Sequence, residues 1–200
     1  MGRSFKVARA GMSIAAMVLI AAAAGLSPAL AQKAEPTREL GAHEHGRGHF
    51  SLAVEKGKVS IDLEAAAADI VGFEYAPKSK AETEAVEAAK TRLAQPLSLF
   101  GIPEAAGCKV TEAAVELEKA EEDDHGKDGH KHEPAGGHAE FHGHYALECA
   151  RPEALTSLNF AYFEAFPRAR ALEVVAVSEK TQIKAEATRA SPRVALPGLH

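Results

Sequence analysis

Two runs of this chain gather side chains that can bind metal. One is the heptapeptide HEHGRGH with His43, His45 and His49; the other, Asp123 to Tyr145, carries His125, His130, His132, His138, His142 and His144. Together they hold nine of the ten histidines, and only His200 lies outside them. Imidazole with carboxylate is the ligand set of a borderline divalent ion, and imidazole is largely neutral near pH 7. Histidines recruited for core packing would be scattered singly, so the clustering points to Zn2+, with Ni2+ and Cu2+ open on ligand class alone. The longer run also reads as a solvated, disordered charge run, and the two readings are compatible. The chain contains no Cys-x-x-Cys and no His-Glu-x-x-His, so the sequence specifies ligand class and leaves geometry open.

The elements that must position these ligands are strands. Phe50, Leu52 and Val54 alternate with polar residues, as do Val59, Ile61 and Leu63 after Lys56-Gly57. A two-residue turn there predicts pairs Val54/Val59, Leu52/Ile61 and Phe50/Leu63. His49 then falls on the polar face opposite Glu64 and diagonal to Asp62, carboxylates that could share its metal or orient its ring.

Cys108 to Leu117 and Phe141 to Cys149 read as a second antiparallel pair. Setting Cys108 opposite Cys149 sets Val110 opposite Leu147 and predicts a disulfide at the base of the histidine-rich connection. The alternation slips between Val110 and Val115, which predicts a bulge near Glu112 to Ala114. Phe141, Tyr145, Leu147 and Cys149 share the core face, leaving His142, His144 and Glu148 on the other. If these strands adjoin the first hairpin, His49, His142 and His144 with His43 or His45 can close a tetrahedral shell. A Gly-rich loop loses entropy on closing round an ion, so His125, His130, His132 and His138 are expected to add weaker capacity.

Between the pairs, Ala65 to Ala76 reads as a loop packed by Ile70, Val71 and Phe73. Ser79 with Glu82 is a capping box, and Ala81, Ala85, Val86, Ala89 and Leu93 repeat at helical spacing until Pro96. Leu158 to Tyr162, Leu172 to Val177 and Gln182 to Ala187 alternate as strands, Phe163 and Phe166 fill a corner, and Ser191 to His200 is expected to be loosely held. The fold class is therefore α+β: a mainly antiparallel sheet of hairpins, one principal helix, and a disordered His/Asp/Glu-rich loop over residues 119–139.

Arg3, Lys6 and Arg9, the apolar run Gly11 to Gly25 and Ala29-Leu30-Ala31 form a secretory signal pattern, with cleavage expected after Ala31. Residues 32–200 would then be a periplasmic metal-binding domain with no membrane span. Cleavage removes three basic residues and no acid, taking the net charge from -5 to -8. That excludes nucleic acid as a natural partner and favours cations. It also removes all three methionines, which argues against a thioether copper(I) site. Two cysteines in an exported chain are expected to pair.

The segments GAHEHGRGHFSLAVEKGKVSIDLEAAAADIVGFEY and LFGIP, the Cys108 strand, the His/Asp/Glu loop, Tyr145-Ala-Leu-Glu-Cys149 and FEAFPRAR resemble the ZrgA-type periplasmic zinc uptake proteins. That resemblance implies zinc capture, or hand-off to an ABC-type zinc importer or its binding protein, with no assigned enzymatic activity. It carries onto His43, His45 and the histidines between Glu121 and His144. One position departs: the family pattern has histidine after Gly-Phe-Glu, where this chain has Tyr75, so a ligand at that station would be missing here. Two other classes stand beside zinc binding. A metalloenzyme would need an open coordination position and a base such as Glu44, Glu64 or Glu148, and a periplasmic pH sensor or metal buffer would use imidazoles that charge below about pH 6.5.

Overall fold

The structure, a computed structural model, describes residues 45–119 and 138–199, all within one compact unit. The signal sequence and its cleavage position, His43, Glu44, His125, His130, His132, His200 and the disorder expected of the loop lie outside the described residues.

Two hairpin-like pairs and a later meander build one sheet. Its strands are β1 (Arg47–Glu55), β2 (Lys58–Ala66), β3 (Cys108–Lys119), β4 (Ala139–Cys149), β6 (Ala171–Ser178) and β7 (Gln182–Thr188), in the order β3-β4-β2-β1-β6-β7. A second sheet pairs β5 (Ser157–Asn159) with β8 (Arg193–Ala195). The first hairpin has the predicted register, with Val54 opposite Val59, Leu52 opposite Ile61 and Phe50 opposite Leu63. Its turn is of the kind that matches strand twist: Lys56 and Gly57 both have positive φ, 49° and 83°.

β3 and β4 also pair as predicted, Cys108 opposite Cys149 and Val110 opposite Leu147, and the two cysteines form a disulfide. The bulge falls slightly earlier than expected, between Val110 and Glu112. The Thr111 hydroxyl explains the position, because it donates to Ala146 O at 3.0 Å and so occupies a carbonyl beside the interrupted ladder. Val110 is 38% exposed although Leu147 opposite it is buried, since β3 is an edge strand of the sheet.

The sheet departs from the antiparallel expectation at one place. β1 and β6 are parallel, so the sheet is mixed. β6 enters beside the start of β1, where Gly46 O accepts from Arg170 N at 2.8 Å and Ala171 N at 2.9 Å, and that entry point fixes its direction. Among the described residues, α-helical segments α1 (Ala67–Ile70), α2 (Lys80–Leu93), α3 (Pro96–Leu99) and α4 (Tyr162–Ala165) and two short 3-10 turns accompany the strands. The capping box of Ser79 and Glu82 is formed, and α2 buries Val86, Ala89 and Leu93 while Ala81 stays exposed. The expected loop 65–76 thus begins as β2 and one helical turn, and the strand expected through Tyr162 is shortened to β5, with Tyr162 turned into α4 and wholly buried.

One sheet face holds the core. Phe50 packs edge-on against Phe100 and Phe160 with ring centroids 4.9 and 5.0 Å apart, and Phe100 meets Tyr145 at 5.4 Å. Each such buried aromatic contributes about 1.5–3 kcal/mol. The tail is a correction. β8 pairs with β5, and Val194, Leu196 and Leu199 are buried, so residues through Leu199 are held by apolar contact where looseness was expected. The opposite face of the sheet carries the polar set, including His49, Asp62, Glu64, His142 and His144.

Candidate metal centre

Antiparallel pairing of β1 with β2, and of β2 with β4, brings three chain segments to one end of the sheet: the start of β1, the continuation after β2, and the start of β4. His45 lies just before β1, Glu74 in the segment after α1, and His138 immediately before β4. Their ligand atoms all lie within 4.8 Å of one another.

The backbone is fixed around them. Ala139 N donates to Glu74 O at 2.9 Å, tying the entry of β4 to the acidic segment. Gly46, next to His45, donates its N–H to Asp69 Oδ2 at 2.8 Å while its carbonyl takes the two bonds from Arg170 and Ala171. Only glycine suits this position, because φ is +88° and a Cβ would stand 2.9 Å from the Arg170 side chain. Asp69 is 6% exposed, and burial raises its carboxyl pKa above the usual range, opposed by the Gly46 N–H and by nearby His45 and Arg170.

Glu74 is the centre of the group. Its Oε1 touches His45 Nε2, and its Oε2 lies 2.5 Å from His138 Nδ1. Oε1 is buried against the His45 ring. Both carboxylate oxygens thus face imidazole nitrogens, and the three side chains bring their donor atoms around one place that suits a divalent cation. Two imidazole nitrogens and a carboxylate oxygen are a recognised zinc donor set that leaves a fourth position open. The Glu74 side chain is 20% exposed, whereas those of His45 and His138 are 58% and 59% exposed, so the centre opens to solvent.

The other candidate ligands are placed differently. His49 Nδ1 lies 3.3 Å from Glu173 Oε2, and His144 Nδ1 lies 2.6 Å from Asp62 Oδ1. His142 Nε2 lies 3.5 Å from Glu140 Oε2 and 4.0 Å from Glu118 Oε2. The Glu140 hydrogen bond raises the His142 pKa, burial opposes it, and the charges of Glu118, Glu140 and Glu64 add to the rise. The expected adjacency of β1, β2 and β4 is present, yet His49, His142 and His144 do not close on a common point with His45. His138, expected among the weaker loop ligands, is the one that does.

Glu74 escaped the sequence reading because it lies in an irregular segment without periodicity; the Gly-Phe-Glu motif was its one local sign. Tyr75, at the station where histidine was expected, is committed elsewhere. Its hydroxyl donates to Glu82 at 2.8 Å, and that bond, with the N–H groups of Lys78 and Ser79, holds the exposed Glu82 carboxyl down to about 2.

Residues 42–196 match the ZrgA family zinc uptake protein model. The chain belongs to the ZrgA family. Its role is therefore zinc-related, in a family of uptake proteins, and the match takes in both cysteines and every described histidine. A comparison with curated proteins finds no match. Among the described residues no helix is long and apolar enough to cross a membrane, and the disulfide fits an exported protein.

Proposed function

We propose that this ZrgA-family chain binds zinc in the periplasm through His45, Glu74 and His138 and passes it on, as cargo, to an ABC-type importer or its binding protein. The observation that carries this is the convergence of the half-buried Glu74 carboxylate with two solvent-open imidazoles, all three donor atoms lying within 4.8 Å of one another. An inward carboxylate sets the position of the ion. Exposed imidazoles let it enter and leave, which capture requires and a closed structural site would prevent. His43, two residues before His45, is a natural fourth ligand, and His125, His130 and His132 add weaker capacity. Nickel and copper(II) compete on ligand class, so metal identity is settled by the native content of the protein.

The three-ligand set also suits a metalloenzyme with an open position. Uptake is favoured over catalysis by the family match, whose description is zinc uptake. The test is metal analysis of protein purified from its native compartment, followed by zinc titration of Glu74→Gln. Zinc at near-unit stoichiometry, with a tight phase lost in the variant, supports the reading; a metal-free native protein, or an unchanged tight phase, overturns it.

A further inference from the structure

The six-stranded sheet ends in β3 on one side and β7 on the other, and the two edges are built differently. β3 is interrupted by the bulge between Val110 and Glu112 and carries Glu112, Glu116 and Glu118, so an added strand meets a broken ladder and a row of acids. β7 pairs with β6 residue for residue and without a shift. Gln182, Lys184 and Glu186 are exposed on one side of it, while Ile183 and Ala185 lie half-buried at the margin of the core. Thr188 shows which backbone groups face outward. It donates to Ser191 O and accepts from Ser191 N, both at 3.1 Å, so its backbone turns away from β6. Alternate residues of an antiparallel strand do the same, which presents the N–H and C=O of Glu186 and Lys184 to the open edge.

We propose that β7 is a self-association edge, pairing antiparallel with β7 of a second copy of this chain about a two-fold axis at Ala185. In that register Lys184 stands opposite Glu186 of the partner subunit, Glu186 opposite the partner's Lys184, and Ile183 opposite the partner's Ala187. The register is specific. Sliding the partner by two residues brings lysine opposite lysine in one direction and glutamate opposite glutamate in the other, and a one-residue slide sets polar side chains against the apolar face. Glu186 already stands opposite Glu173 on β6, with Arg47 at 2.5 Å, and a lysine delivered from the partner side offsets the remaining negative charge. Ile183 and Ala185 are covered in the same step, which extends the apolar layer across the axis. The Ser191 turn closes the edge at Thr188, so the contact spans only about five residues of each strand, far below a standard interface, and forms at roughly tens of micromolar protein and above. Thr188 lies opposite Ala171, whose N–H bonds Gly46 O beside His45. The antiparallel axis therefore sends the two groups of His45, Glu74 and His138 to opposite ends of the joined sheet and leaves both open.

The test is sedimentation velocity on the mature full-length protein at rising concentration, with a chelator present so that exposed histidines cannot bridge copies through a metal ion. Wild type should pass from monomer to dimer. Lys184→Glu sets two carboxylates opposite each other at both contacts, and Glu186→Lys sets two ammonium groups there, so each variant alone should dimerise at least about tenfold more weakly. An equimolar mixture of the two variants should associate again, because one copy then offers two carboxylates where the other offers two ammonium groups. Both positions are exposed, and far-UV circular dichroism checks that each variant keeps the fold. A wild type that stays monomeric up to about 1 mM, single variants that dimerise as well as wild type, or a mixture that associates no better than its components, each overturns the proposal.

Discussion

At the rim of the sheet His45, Glu74 and His138 converge, with all ligand atoms within 4.8 Å of one another, whereas on the sheet face His49, Glu64 and His142 stand in register and the two rings turn toward separate carboxylates. The two regions use the same residue types, carried by the same three strands or the segments that adjoin them. The difference is backbone geometry. Inside a ladder, side chains project side by side at the strand spacing, so convergence on an ion requires rings to lean toward one another. At a strand end the chain leaves the ladder and can aim its side chains inward. The rim centre needs dedicated backbone support to do so, from the positive-φ Gly46, the buried Asp69 and the Ala139 to Glu74 bond.

The sharpest way to break this comparison is to neutralise the central carboxylate of each region. Glu74→Gln should weaken the first zinc ion by more than about 100-fold, beyond the 10–100-fold that outer partners of a metal ligand typically contribute. Glu64→Gln should leave that first ion within about threefold, because Glu64 lies outside the rim group, well under the loss of an outer partner. Calorimetry against a competing chelator reads both. Equal losses in the two variants would mean that rim and face form one site.

Opening the disulfide probes the far end of β4. Cys108 and Cys149 close the end of the strand opposite His138. Replacing both with serine should destabilise the protein by about 2–4 kcal/mol in non-reducing denaturant titrations. First-ion zinc affinity should change far less than in Glu74→Gln, since the rim contacts remain. Free thiols in periplasmic protein, seen by intact mass, would remove the bridge from the native molecule.

Much of the face was legible in the sequence and little of the rim. Period-two alternation alone sets the hairpin register, and with it His49 opposite Glu64 and Cys108 opposite Cys149. The parallel pairing of β1 with β6 was not readable, because it depends on where β6 enters, and that is decided by the bonds to Gly46 O. Glu74 and His138 stand in segments without alternation, brought together by tertiary contacts that leave no periodic trace. The tail misled for a related reason: Pro192 and Pro197 look like loop residues, yet the apolar residues between and after them, Val194, Leu196 and Leu199, are buried.

Asp69 tests whether rim support is separable from rim ligation. Asp69→Ala leaves the Gly46 N–H without its acceptor, which should lower stability by about 1–3 kcal/mol. His45 then loses its fixed approach, and zinc affinity should fall about 10-fold to 100-fold, as for loss of an outer partner. An Asp69→Ala protein with unaltered zinc affinity would show that His45 is positioned by its other neighbours alone.

The smallest effect expected is a pH dependence confined to the face. His142 has a pKa raised above its ordinary value, first by the Glu140 hydrogen bond and then by the charges of Glu118, Glu140 and Glu64, with burial opposing. The folded protein therefore binds this proton more tightly than the unfolded chain does. The resulting stabilisation is fully present below the unfolded pKa near 6.5 and is lost as pH rises through the higher folded pKa. In metal-free protein, the stability advantage of wild type over His142→Gln should shrink between about pH 6 and pH 8, as the imidazolium gives up its proton. Urea titrations at a series of pH values measure it, with His49→Gln as the control for a general effect of removing an imidazole from this face. An advantage that grows with pH would mean that the neutral ring, and not the imidazolium, is the form the fold prefers, and that the carboxylates around His142 are already satisfied by other partners.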